Sequence, residues 1–167
     1  MTRPAAIVTG GARGIGLACA AALADAGFDL FVVDLAEKAA DGLAADITAH
    51  GAKFAYHCGD IADLDGHAAL IDAATSAFGR IDCLINNAGI SAVVRGDLLE
   101  LRPNNFDRIL SINLRGTVFL SQAVARAMLA TPGDYPDRSS PSHRSAPKWP
   151  RPNVPTIASP KLGFRCG

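Results

Sequence analysis

The stretch that most constrains the chain is residues 5 to 16, Ala-Ala-Ile-Val-Thr-Gly-Gly-Ala-Arg-Gly-Ile-Gly. Ala5 to Val8 is a short apolar run that reads as a buried strand. Thr9 and Gly10 break it, and a helix is expected from Gly14 to about Ala26, closed by Gly27. A strand, a glycine-rich turn and a helix start aim unpaired backbone N–H groups and the positive helix end at a phosphate. Gly10 permits the sharp turn, Gly14 lets a ligand approach the backbone, and Gly16 lets helix and strand pack closely. The spacing is Gly-x-x-x-Gly-x-Gly. Glycines alone also fit an ordinary loop, but the flanking elements point to a dinucleotide site.

The 167 residues suffice for one domain with a real core, and the 49% hydrophobic content and zero net charge give no overall basic field for nucleic acid. No apolar stretch has membrane length, and no signal peptide precedes the first strand, so a cytoplasmic protein without membrane or nucleic-acid partners is expected. Cys19, Cys58, Cys83 and Cys166 are scattered, and the first three are expected as buried thiols, not as disulfide or metal ligands.

The rest of the chain alternates. The helix at 14–26 should bury Ile15, Leu17, Ala18, Ala22 and Leu23. Asp29 to Asp34 reads as a strand buried on both faces. Asp34 can accept hydrogen bonds from both hydroxyls of an adenosine ribose and would repel a 2′-phosphate; it can equally cap a helix expected over Glu37 to His50. Lys53 to Cys58 is a third strand, followed by Gly59-Asp60-Ile61 and an Asp63-capped helix to Phe78. Ile81 to Asn86 is a fourth strand, followed by Asn87-Ala88-Gly89. Strict alternation predicts a parallel sheet in the order 3-2-1-4 between two helical layers, with the ligand at the switch between strands 1 and 4. A loop with an apolar patch at Leu98 to Leu101 leads to a long helix from Pro103 to about Ala130. Asn113 within that helix is either a satisfied core amide or a site residue.

Together, Thr9-Gly10-Gly11-Ala12-Arg13-Gly14-Ile15-Gly16, Asp34, Asp60-Ile61, Asn86-Asn87-Ala88-Gly89 and Asn113 resemble a short-chain dehydrogenase/reductase over residues 3 to about 130. The 3-oxoacyl-carrier-protein reductases and related sugar or alcohol dehydrogenases look nearest. The resemblance implies a Rossmann-type α/β/α fold, a homo-oligomer in the full-length family, and NAD(P)-dependent hydride transfer between a small-molecule alcohol or 3-hydroxyacyl group and its carbonyl. Gly10, Gly14, Ile15 and Gly16 would hold the pyrophosphate. Asp34 would hold the ribose and favour NAD, with NADP as the alternative. Asp60 and Ile61 would flank the adenine, and Asn87, Ala88 and Gly89 would line the cleft. Thr9, Arg13 and Leu35 complete the candidate cofactor-binding set. Asn113 matches the family's catalytic Asn, whose backbone carbonyl holds a water in the proton relay. No metal is expected.

The family also needs a Ser, a Tyr and a Lys, the last lowering a phenol pKa that starts near 10. Here Tyr56 and Tyr135 are the only tyrosines and neither has Lys four places on. Composition changes nearby: Arg138 to Gly167 holds six basic and no acidic residues, and eight of the ten prolines lie between Pro132 and Pro160. Three readings fit: a disordered linker, a nucleic-acid-binding tail, or a changed reading frame beginning between Asp137 and Ser142. The third is testable on the residues. New codons built from the last base of one codon and the first two of the next allow a Ser at His143/Arg144, a Tyr at Thr156/Ile157 and a Lys at Pro160/Lys161. That is Ser and Tyr-x-x-x-Lys at the family's spacing. The expected organisation is therefore an incomplete NAD(P)-binding domain over 1–130 and an irregular, apparently frameshifted tail over 131–167. Strand 4 would become an exposed edge, and the chain would be inactive as written: a truncated enzyme, a non-catalytic dinucleotide-binding fragment, or a pseudogene product.

Overall fold

A computed structural model of the chain describes residues 3–91, 97–131 and 156–158. The elements are β1 (Ala5–Thr9), α1 (Gly14–Asp25), β2 (Asp29–Asp34), α2 (Leu43–Ala49), β3 (Phe54–Cys58), α3 (Gly66–Phe78), β4 (Cys83–Ile85), α4 (Pro103–Leu110), α5 (Thr117–Ala130) and β5 (Thr156–Ala158). The strands form one parallel sheet in the order β3-β2-β1-β4-β5. The order 3-2-1-4 is as expected, but the expected bare edge at β4 is not. Thr156–Ala158 pairs along Cys83–Ile85, so β4 has a ladder on both sides. Thr156 and Ile157 are β-branched, and these three residues keep the N–H groups that the neighbouring prolines lack. The rest of the tail, Tyr135 and Cys166 included, lies outside the described residues.

Alternation along β1 splits the core. Ala6 and Val8 face α1 and α2, packing with Ala20, Ala24, Leu30, Val32, Leu43 and Ile47. Ile7 faces the other way, with Phe31, Val33, Leu70, Leu84, Leu120, Val124 and Met128 beneath α3 and α5. Within α1 the buried residues are Gly16, Ala20 and Ala24, not the expected face; Ile15, Ala18 and Ala22 are exposed, and Leu17 and Leu23 are half-buried. The small residues at every fourth position let the helix lie close on the sheet, which leaves no room for a larger face.

Three further boundaries move. The helix expected from Glu37 starts only at Leu43, because Gly42 has a left-handed backbone (φ +86°) through which a right-handed helix cannot run. Asp63 does not cap α3: its Oδ1 accepts the Asp65 N–H at 3.2 Å and shapes the turn that precedes Gly66. The long helix after Pro103 is continuous but widens to a π-helical turn over Ser111–Gly116. Of the thiols expected inside, only Cys83 is buried; Cys19 is half-buried and Cys58 is exposed, because Cys58 sits where β3 runs out into the mouth of the sheet.

One basic residue ties the opposite end together. Arg3 donates to the carbonyls of Ala24 (3.1 Å) and His50 (3.4 Å) at the ends of α1 and α2, and pairs with Asp29 at 3.5 Å. Cations at helix C-termini are favourable for the dipole and the unpaired carbonyls there.

Candidate functional site

The carboxyl ends of β1, β2, β3 and β4 open onto a single cleft of about 320 Å³. Ten of the thirteen expected cofactor residues line it: Gly10, Arg13, Ile15, Asp34, Leu35, Asp60, Ile61, Asn87, Ala88 and Gly89. Thr9, Gly14 and Gly16 do not. Val33, Gly59, Ile90 and Ile112 also line it, and each stands next in sequence to an expected residue. Adjacency to Asp34, Asp60, Gly89 and Asn113 was the available signal.

Each excluded residue is placed by its neighbours. Thr9 is fully buried, and its hydroxyl donates to the Ile85 carbonyl (3.2 Å) and accepts the N–H groups of Asn87 and Ala88 (both 3.1 Å). One side chain thus fixes the turn after β4 against the end of β1. Gly16 faces the Gly10 carbonyl and the Asn87 amide so closely that a Cβ would collide with both. The Asn87 amide in turn donates to the carbonyls of Thr9 (3.1 Å) and Gly10 (2.9 Å). Gly14 is different: its backbone is left-handed (φ +57°), and a Cβ there would meet nothing within 4 Å. The space beside it is open.

The start of α1 has no side-chain cap and no acid in its first turn. Its leading N–H groups and positive end therefore meet no acidic side chain from the helix itself. The Asp34 carboxylate accepts the Ala12 N–H (3.0 Å) through Oδ2 and the Ala36 N–H (3.3 Å) through Oδ1. It does not cap a helix; it braces the glycine turn, and each oxygen retains lone-pair capacity toward the cleft.

Asn113 resolves as an amide satisfied at both atoms. Its Oδ1 accepts the Ile90 N–H at 2.9 Å and its Nδ2 donates to the Ile90 carbonyl at 2.8 Å. Asn113 sits in the π-helical turn, where Thr117 Oγ1 also donates to the Ile112 carbonyl at 3.3 Å. Such turns recur at functional sites. The Asn-Ala-Gly turn is thus held by Thr9 on one side and, one residue beyond it, by Asn113 on the other.

Tyr56 is the one described tyrosine. Its hydroxyl donates to the Ala36 carbonyl at 2.7 Å, and burial, then the nearby Asp34 and Cys58, push its pKa up from 10.0. An acid–base phenol needs the opposite shift. Among the described residues no group of three or more His, Cys, Asp or Glu could hold a metal, and no helix is long and apolar enough to cross a membrane.

Residues 4–134 match the short chain dehydrogenase family. The chain belongs to that family. Related dehydrogenases include the D-threitol dehydrogenase of Mycolicibacterium smegmatis, 41% identical over 129 residues, 77% of this chain and 48% of that protein. The 2-dehydro-3-deoxy-D-gluconate 5-dehydrogenase of Dickeya dadantii is 37% identical over 124 residues, 74% of this chain and 47% of that protein. Among solved structures, the 3-oxoacyl-[acyl-carrier protein] reductase of Brucella melitensis in complex with NAD superposes with a TM-score of 0.76 at 50% identity, covering 80% of this chain and 52% of that one. The chain spans about half the length of these short-chain dehydrogenases.

Proposed function

We propose that residues 1–130 are the dinucleotide-binding part of an NAD(P)-dependent short-chain oxidoreductase that interconverts a hydroxyl and a carbonyl on a small molecule. One observation carries the reading: the glycine turn, Asp34, Asp60-Ile61 and Asn87-Ala88-Gly89 converge on one cleft at the carboxyl ends of four parallel strands. The residues fit the cofactor. The uncapped start of α1 and the open face of Gly14 suit a pyrophosphate, and the Asp34 carboxylate suits a free 2′-hydroxyl, which favours NAD. The bound nicotinamide would supply or accept hydride. Asp34 orients the ribose, Asp60 and Ile61 flank the adenine, and Asn87, Ala88 and Gly89 form the wall nearer β4. Thr9 and Asn113 hold that wall, and the Asn113 carbonyl holds a water for proton transfer.

The chain as written binds without turning over. No Tyr-x-x-x-Lys is present, and Tyr56 is shifted away from the working range. Loss of a general acid alone removes about 10²- to 10⁴-fold in rate. Residues 131–167 are read as the product of a changed reading frame. The acid-free composition, the alternate-frame Ser and Tyr-x-x-x-Lys, and the family match ending at residue 134 support this. Titration of the 167-residue chain with NADH and NADPH, followed by nucleotide fluorescence, tests the binding. NADH is expected to bind more tightly, and Asp34→Ser is expected to narrow the difference. Equal affinity for both nucleotides in the unmodified chain would sink the assignment of Asp34. Restoring the alternate frame is expected to give NADH oxidation with a ketone; no activity on any ketone would leave a binding module in place of an enzyme.

A further inference from the structure

The structure points to a positioning residue that the cofactor reading leaves unused: we propose that His67 sets the adenine end of the cleft by holding the Ile61 carbonyl. This rests on the dinucleotide reading above. His67 lies in the first turn of α3 and is 5% exposed, one of few polar residues in the interior. Its Nε2 lies 2.8 Å from the Ile61 carbonyl oxygen. A carbonyl only accepts, so Nε2 carries the proton and donates. Its place at the head of an otherwise ordinary amphipathic helix does not call for a polar residue. An aliphatic side chain would fill the space without leaving a donor to satisfy.

The Ile61 carbonyl is a junction. Gly116, the last residue of the π-helical turn, approaches it so closely that a Cβ there would collide with the carbonyl. The same peptide is therefore gripped by α3 through a hydrogen bond and touched by the helix that carries Asn113. Around it the loop is fixed by three further bonds: Asp60 Oδ1 accepts the Ala62 N–H at 2.9 Å, the Asp60 carbonyl accepts the Asp63 N–H at 3.0 Å, and Gly59 donates to the Asp34 carbonyl at 2.9 Å. Of that set, the Asp60 Oδ1 bond to the Ala62 N–H holds the N–H side of the peptide after Ile61. The His67 bond holds its carbonyl side, and the two together set where Asp60 and Ile61 stand in the cleft wall. Removing the donor leaves this peptide tethered on one side only, with the adenine side losing its shape while the glycine turn and Asp34 stay in place.

The test uses the 167-residue chain with His67→Leu and His67→Gln, titrated calorimetrically with ADP-ribose and NAD, with a thermal melt of each variant. The amide of Gln can replace the Nε2–H donor; Leu cannot. His67→Leu is expected to weaken ADP-ribose and NAD by about tenfold or more, and His67→Gln to keep both within about threefold of the unmodified chain. Equal affinity in the unmodified chain and His67→Leu overturns the assignment of His67 alone. Loss in His67→Gln equal to that in His67→Leu, with the melt of His67→Gln unchanged, also overturns it, because the donor would then not be what matters. Should His67→Leu fail to fold, His67→Gln decides: retained affinity supports the proposal and lost affinity overturns it. Failure of the unmodified chain to bind either ligand overturns the dinucleotide reading, and this proposal with it.

Discussion

Replacing Thr9 with Val keeps the shape of the side chain and removes only its hydroxyl. That hydroxyl, fully buried, makes three hydrogen bonds: one to the Ile85 carbonyl and two from the N–H groups of Asn87 and Ala88. A buried polar group that loses its partner costs about 1–3 kcal/mol. Three such groups would set an upper bound near 9 kcal/mol, but Asn87 N–H also reaches the Ile85 carbonyl at 3.1 Å and the turn is half-buried, so water can reach part of it. About 2–4 kcal/mol is the expected loss. Thr9→Ser keeps the hydroxyl and loses one methyl, worth about 1 kcal/mol. Urea unfolding followed by circular dichroism measures the global effect, and amide hydrogen exchange measures the local one. Protection at Asn87 and Ala88 should fall roughly 30- to 1000-fold in Thr9→Val and much less in Thr9→Ser. Equal loss in the two variants, or protection unchanged in Thr9→Val, would refute the claim that the hydroxyl positions the turn.

Leu84→Ala removes a fully buried side chain at the centre of the sheet and should cost about 2–5 kcal/mol by urea unfolding, the larger values if the cavity stays open. Arg3→Ala releases the ends of α1 and α2 and leaves Asp29 without its ion pair; a loss of about 1–2 kcal/mol is expected, shrinking in high salt, with no change in nucleotide affinity. Tyr56 has its folded pKa raised above 10.0, so the folded state holds the phenolic proton more tightly than the unfolded chain. Its contribution is intact below pH 10 and is lost as the pH rises through the folded value; melts from pH 8 to 12 should show an alkaline loss that Tyr56→Phe reduces.

How much was legible follows from which forces are local. β1 and β2 read clearly because short apolar runs between turn residues leave little choice, and their bounds follow the sequence closely. The order 3-2-1-4 followed from alternation and the handedness of crossovers. The packing face of α1 did not, since hydrophobicity favoured Leu17 and Leu23 while the sheet demanded the small residues Gly16, Ala20 and Ala24. The start of α2 was hidden by alanines that suit a helix, and only the backbone sign at Gly42 reveals the break. β5 was unreadable because three residues between prolines carry no periodicity, and an open sheet edge recruits whatever extended segment reaches it. In the site, motif residues were visible by type, but their division of labour was not. Thr9 and Gly16 shape the cleft without lining it, and Asn113 has its amide committed to Ile90.

That division explains why a cleft can be well formed on half of a family's usual length. Among the described residues, the walls are held from within the first part of the chain. Thr9 pins Asn87 and Ala88 from β1, Asn113 pins Ile90 from the π-helical turn, Asp34 braces Ala12, and Gly16 brings α1 against Gly10 and Asn87. Every one of these contacts lies between residues 9 and 113, and each is a short polar bond or a glycine contact with little slack. The cleft contacts named here are therefore all written into the first 113 residues. On the proposed reading proton transfer is not, because no Tyr-x-x-x-Lys stands in that part of the sequence. On the function proposed above, recognition of the dinucleotide is separated along the sequence from chemistry upon the substrate, and a change of reading frame beginning between Asp137 and Ser142 would remove the second while leaving the first in place.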